Sequence, residues 1–141
     1  MGNIFKILIT ITLLCNGCDS GISDKNLRFI NANQAADLMG ESESSLLGPI
    51  NATILVDPRP TWSFRKSHIK NATNIPFGRL YYQAWQLDEA GTIIVAGETY
   101  NDPVAIAMSK ELITMGFTDV KTLRGGLTGW EDAGEMVITA E

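Results

Sequence analysis

With 141 residues, 45% of them apolar, the chain amounts to a single domain long enough to bury its own core. The net charge of −5 excludes a general nucleic-acid binder, which needs a basic face to neutralise phosphates. Both cysteines, Cys15 and Cys18, sit near the start, so residues 19–141 hold no disulfide, no cysteine metal site and no cysteine nucleophile.

Residues 1–17 read as an export signal: Lys6, an apolar run from Ile7 to Leu14, then a short polar segment ending in Gly17. The run is far shorter than the ~18–20 apolar residues of a membrane span. A small residue directly before a cysteine, after such a run, resembles the processing box of bacterial lipoproteins, in which that cysteine is lipidated and becomes the new N-terminus. The resemblance picks Cys18, because Leu14 before Cys15 is a poor cleavage residue. It departs from the box three residues earlier, where Cys15 stands in place of an aliphatic residue. It implies a chain lipid-anchored on the periplasmic side of the bacterial cell envelope, with a soluble periplasmic or secreted product as the alternative. Asp19 directly after the cysteine goes, in some bacteria, with retention at the inner membrane. Residues 18–27 are then a polar tether and 28–141 the folded domain.

Leu27 to Ile30 reads as a short strand. Asn31 with Gln34 three residues on resembles a capping box opening a helix from Ala32 to Met39, with Gly40 as its stop and Glu41 to Asn51 as an exposed loop. Ala52 to Val56 is apolar at consecutive positions and is broken by Asp57-Pro58-Arg59-Pro60, and Thr92 to Ala96 has the same character. Strands covered on both faces, alternating with helical segments, predict an α/β fold: a three-layer sandwich with a small, mostly parallel central sheet flanked by helices. Arg79 to Leu87 reads as a helix with Leu80, Tyr81, Ala84 and Trp85 toward the core. Tyr81, Tyr82 and Trp85 then form an aromatic core edge, with a ligand groove as the alternative.

The stretch Gly91 to Met115 is placed like an active site: a buried strand, a tight loop, then a helix whose N-terminus aims unpaired N–H groups at the loop. Val104, Ala107, Met108, Leu112 and Met115 share one face, Asp102 suits the cap, Pro103 the first helical position and Gly116 the stop. The loop, Ala96-Gly97-Glu98-Thr99-Tyr100-Asn101-Asp102, contains no Cys, Ser, Lys or His. Tyr100 reads as an ordinary exposed aromatic, with recognition at the loop tip as the sharper alternative. Val120 to Leu123 is a further strand, and Arg124 to Trp130 a tight turn carrying a bulky anchor. The tail after Gly134 carries no assignable pattern. Two Asn-Ala-Thr triplets, at Asn51 and Asn71, match the glycosylation acceptor but carry no weight beside a bacterial-looking signal.

Three segments in order resemble the rhodanese domain. They are Ile54-Leu55-Val56-Asp57-Pro58-Arg59, then Phe64 through His68-Ile69 to Asn74-Ile75-Pro76, then Gly116-Phe117 through Val120 to Gly125-Gly126-Leu127-Thr128-Gly129-Trp130. Ser67 and Asn71 stand where the family usually has glycine. The family's chemistry resides in the loop after the central strand, where a cysteine takes sulfur from a donor such as thiosulfate, holds it as a persulfide and passes it on. Backbone N–H groups and a helix N-terminus acidify that thiolate, and an arginine assists the anion. Here the cysteine's place falls on Ala96 or Gly97, and the arginine's on Pro103 or Val104. Glu98 and Asp102 put carboxylates where an anion would sit, which disfavours a second anion by roughly 1 kcal/mol or more when partly shielded.

The resemblance further implies Asp57 and Arg59 as an ion pair under the loop, beside the plainer reading of Asp57 as a cap on turn amides. It makes His68 structural; a lone histidine with no cysteine partner is a poor metal site. Gly125 and Gly126 read as turn glycines with positive φ, and Trp130 as packing. Arg65, Lys66, Lys70 and Arg79 read as a solvated face, with contact of part of the set to a partner or lipid headgroup as the alternative. No catalytic residue, metal or cofactor is expected. The leading expectation is a non-catalytic module that binds a protein partner or small ligand through the altered loop and meets the membrane through a lipid on Cys18. The alternatives are thiosulfate-type sulfur transfer, employing Cys15 or Cys18 swung from the tether, and acid–base chemistry by Glu98, Asp102 or Asp57.

Overall fold

The computed structural model describes residues 21–43 and 52–140. The expected export signal 1–17 with Cys15, the expected lipidation site Cys18, the first part of the expected tether and residues 44–51 of the expected loop lie outside the described residues. Five strands, β1 (Arg28–Ile30), β2 (Ala52–Asp57), β4 (Thr73–Asn74), β5 (Ala90–Val95) and β6 (Val120–Leu123), form one sheet in the order β1-β6-β5-β2-β4. Every neighbouring pair is parallel, with Val56 opposite Val95, Ile94 opposite Lys121 and Phe29 opposite Thr122. Two further short strands, β3 (Ser67–Ile69) and β7 (Val137–Thr139), pair antiparallel outside that sheet. The tail that carried no sequence pattern is therefore a strand, paired through backbone groups that leave no periodicity to read.

The consecutive apolar residues of β2 and β5 are explained by covering on both faces. Leu55 and Ile94 pack with Ala35, Leu127 and Trp130, under α1 (Ala32–Glu43) and α5 (Gly126–Asp132). Val56, Ile93 and Val95 face the other way, onto Leu80, Leu87, Met108 and Leu112, under residues 77–87 and α4 (Pro103–Thr114). This is the expected three-layer arrangement around a parallel sheet.

The helix signals held in part. Asn31 and Gln34 form the capping box reciprocally: the Gln34 N–H donates to Asn31 Oδ1 at 2.9 Å, and the Asn31 N–H to Gln34 Oε1 at 3.0 Å. Gly40 does not stop α1, which runs on to Glu43; glycine weakens a helix interior by about 1 kcal/mol but does not terminate it without a left-handed turn. Gly116, at φ +101°, does stop α4. Its N–H and that of Phe117 donate to Ile113 and Leu112 carbonyls, the paired bonds of a Schellman motif.

Two expected faces were displaced. The buried stripe of α4 is Ala105, Met108, Ser109 and Leu112, while Val104 and Met115 are exposed. Ser109 escapes an apolar search, yet it sits in the core because the Thr122 hydroxyl donates to its oxygen at 2.7 Å. Residues 77–87 are not one helix but 3-10 turns flanking α3 (Leu80–Gln83). Leu80, Ala84 and Leu87 are buried, whereas Tyr81, Tyr82 and Trp85 are exposed. The stripe 80/84/87 already fills the space over the sheet, so residues one position along turn outward.

Candidate functional site at the carboxyl ends of the strands

Because the five strands are parallel, their carboxyl ends share one edge, the usual position of a site in an open α/β sheet. There the loop 96–102 meets the segment after β2, the turn after β6 and the N-termini of α4 and α5. Ala96 is buried in the core beside Leu127 and Trp130, and its N–H donates to Val56 at 2.9 Å. Gly97 is the first residue whose side-chain direction opens into the loop. A Cβ on it would lie 2.6 Å from Asp102 Cβ and 2.8 Å from Asp102 Oδ1.

Asp102 fills the loop. Its Oδ1 accepts the N–H groups of Val104 at 2.8 Å and Ala105 at 3.0 Å, and its Oδ2 accepts that of Glu98 at 2.9 Å. Pro103 at the first helical position has no N–H to satisfy. The donors that would have met an anion are thus already bound to a carboxylate.

The second helix N-terminus is occupied as well. Leu127 N–H donates to the Gly97 carbonyl at 2.9 Å, and the Thr128 N–H and hydroxyl both donate to the Glu98 carbonyl at 3.0 Å. Asn101, at φ +54°, donates its N–H to the Arg124 carbonyl. Gly126 takes φ +55° and approaches the loop so closely that a Cβ would lie 2.6 Å from the Gly97 oxygen. Gly125 has φ −89°, so its expected positive φ is not found. It is small for a different reason: a Cβ there would lie 2.6 Å from Gly129 Cα. These contacts from α5 had no residue-type signature beyond the glycines.

Beneath the loop, Asp57 and Arg59 pair as expected and Asp57 also caps the turn, accepting the Arg59 N–H at 2.9 Å. The Arg59 guanidinium donates to Asp57 Oδ2 at 2.6 Å, to the Ser67 carbonyl at 2.7 Å and to Glu98 Oε2 at 2.5 Å. Burial alone would lower its pKa, but the hydrogen bonds and charges of Asp57 and Glu98 outweigh this and raise it. Glu98 therefore reaches down to neutralise a buried arginine. Asn74 ties the same segment to β4 by donating to the Asp57 and Arg59 carbonyls.

His68 stacks on Phe64 of the short helix α2 (Thr61–Lys66) with ring centroids 4.0 Å apart, and its Nδ1 lies 2.9 Å from the Phe64 carbonyl, a structural position. Asn71 adopts φ +64°, the left-handed conformation that a glycine there would favour and asparagine tolerates. Arg65, Lys66, Lys70 and Arg79 are exposed. Tyr100 lies over Gly129 with its hydroxyl 3.3 Å from Asp132, at the wall of a cleft of about 350 Å³ shared with Asn31, Arg124 and Gly125. Arg124 is held over the Phe29 ring at 4.9 Å. What the loop offers to solvent is this aromatic-walled cleft.

The sequence profile of the rhodanese-like domain matches residues 31–133. Among curated proteins no relative matches. Among solved structures, a Bacillus halodurans protein superposes with TM-score 0.66 at 20% identity, over 82% of this chain and 79% of that one. The rhodanese-like domain of an Anabaena protein gives TM-score 0.65 at 23% identity, over 79% and 78%. A thiosulfate sulfurtransferase from Pseudomonas aeruginosa gives TM-score 0.65 at 18% identity, over 83% of this chain but only 21% of that one. At these identities the superpositions speak for the fold.

Proposed function

The chain belongs to the rhodanese-like domain family, and from that premise we propose that it is a non-catalytic member, held at the bacterial cell envelope by a lipid on Cys18. It binds a protein partner or small ligand through the altered loop Ala96 to Asp102 and the cleft beside Tyr100. The observation that carries this reading is the Asp102 carboxylate seated on the amides of Glu98, Val104 and Ala105. A persulfide needs a thiol at the loop; the sequence has none after Cys18. An anionic donor needs free N–H groups, and Asp102 already occupies three of them.

Likeness to a thiosulfate sulfurtransferase favours the alternative, sulfur transfer, which would have to use Cys15 or Cys18. The test is cyanide-dependent thiosulfate consumption by the purified chain, together with intact mass after incubation with the donor. No turnover above a protein-free control and no added sulfur are expected; turnover that disappears in the Cys15→Ser/Cys18→Ser variant would establish the alternative. For the binding half, a photo-crosslinking side chain placed at Tyr100 should give an adduct in intact cells that the same group at exposed Glu131 does not. Identical adduct patterns from both positions would reject it.

A further inference from the structure

The side of the molecule covered by α4 and residues 77–87 carries an aromatic surface that the loop does not use. Phe77, Tyr81, Tyr82 and Trp85 are 40%, 70%, 83% and 70% exposed, all within nine residues, because Leu80, Ala84 and Leu87 take the inward positions. Such a concentration of large apolar side chains marks a contact surface. Tyrosine and tryptophan, with an apolar body and a polar tip, suit the boundary between headgroups and acyl chains. Between Arg79, Tyr82, Gln83 and Trp85 runs an open groove of about 470 Å³. Gln83 lines it, and its side-chain oxygen is buried without a hydrogen-bond partner among the described residues.

Where the tether joins the domain adds the second observation. Asp24, in the short turn that precedes β1, meets Lys110 of α4 at 2.6 Å. Tyr81 donates its hydroxyl to Glu111, the next residue of the same helix. The segment arriving from the apolar run and Cys18 and the aromatic surface therefore lie against adjacent residues of one helix, on one side of the sheet.

We propose that this aromatic face seats on the phospholipid surface of the membrane that holds the chain, with Tyr82 and Trp85 at the headgroup–acyl boundary and Arg79 at the phosphates. The proposal rests on the envelope-anchoring reading above. With Arg79 as the cation of the groove and a net charge of −5, insertion of the aromatic rings drives the contact rather than attraction to anionic lipid. Seating this side leaves the loop edge and Tyr100 free for a partner.

The test uses the full chain with Trp62→Phe, reconstituted in phosphatidylcholine vesicles whose acyl chains are brominated near the headgroup. Trp85 is then the exposed reporter and buried Trp130 the internal reference. Trp85 emission should fall roughly twofold and shift to the blue, and the loss should survive molar salt. The Trp62→Phe/Trp85→Phe variant should show no quenching. Vesicle-bound chain with unquenched Trp85 would overturn the proposal while leaving the anchor intact, and would assign the face to a protein partner. Quenching abolished by molar salt would also overturn it. Chain that does not float with the vesicles would reject the anchor and the proposal together.

Discussion

Gly97 and Asp102 are a matched pair. The carboxylate occupies the volume that any side chain on Gly97 would enter, and it closes three amides that would otherwise face that volume. Asp102→Ala should therefore cost about 1–2 kcal/mol through loss of the cap, read as a lower urea midpoint at unchanged slope. Gly97→Cys alone should be destabilising, since the new Cβ meets Asp102. Combined with Asp102→Ser, which keeps a capping oxygen but shortens the side chain, it should recover part of the loss. The double-mutant cycle should then show favourable coupling of about 1 kcal/mol or more. Additive losses would mean that Asp102 does not fill the site.

At the scale of elements, the loop is stapled by both helices that start at it, α4 through Asp102 and α5 through the Gly97 and Glu98 carbonyls. On the opposite edge, Asp119 gathers β1, β5 and β6: Lys121 lies 2.5 Å away, the Thr92 hydroxyl donates at 2.6 Å, and Arg28 stands at 3.6 Å. Burial would raise its pKa, but the hydrogen bonds from Lys121 and Thr92 and the charges of Lys121 and Arg28 outweigh it, holding the carboxyl below its ordinary value. A carboxyl depressed in the folded state stabilises the fold above its unfolded pKa, and that contribution is lost as pH falls through the folded pKa. Asp119→Asn should thus lower stability at neutral pH, and the gap to the wild type should narrow through the acid range in urea titrations at successive pH values. A gap that stays constant into acid would show that Asp119 stabilises by shape alone.

For the whole molecule, the two cores share the same strands: Leu55 and Ile94 serve one face, Val56 and Val95 the other. Neither layer can be lost without exposing the sheet, so urea unfolding should be a single transition. Far-ultraviolet circular dichroism and fluorescence of a chain whose one tryptophan is Trp130 should coincide. Separated midpoints would show that the α1/α5 side loosens independently.

The strand runs, the capping box of α1, Asp102 and Pro103 at the start of α4, Gly116 at its end and the Asp57–Arg59 pair were legible along the chain. Each depends on residues a few positions apart, where spacing and side-chain chemistry act directly. The absence of a thiol from residues 19–141 is likewise a property of composition, and no folding can change it. Three dimensions decided the rest. Which of Leu80, Tyr81, Ala84 and Trp85 faces inward depends on the space left over the sheet; β3 and β7 exist through each other; Glu98 turns from the loop to Arg59 because that guanidinium is buried within reach. Asp102 likewise fills the site only because the chain folds it back over Gly97, a contact governed by distance in space.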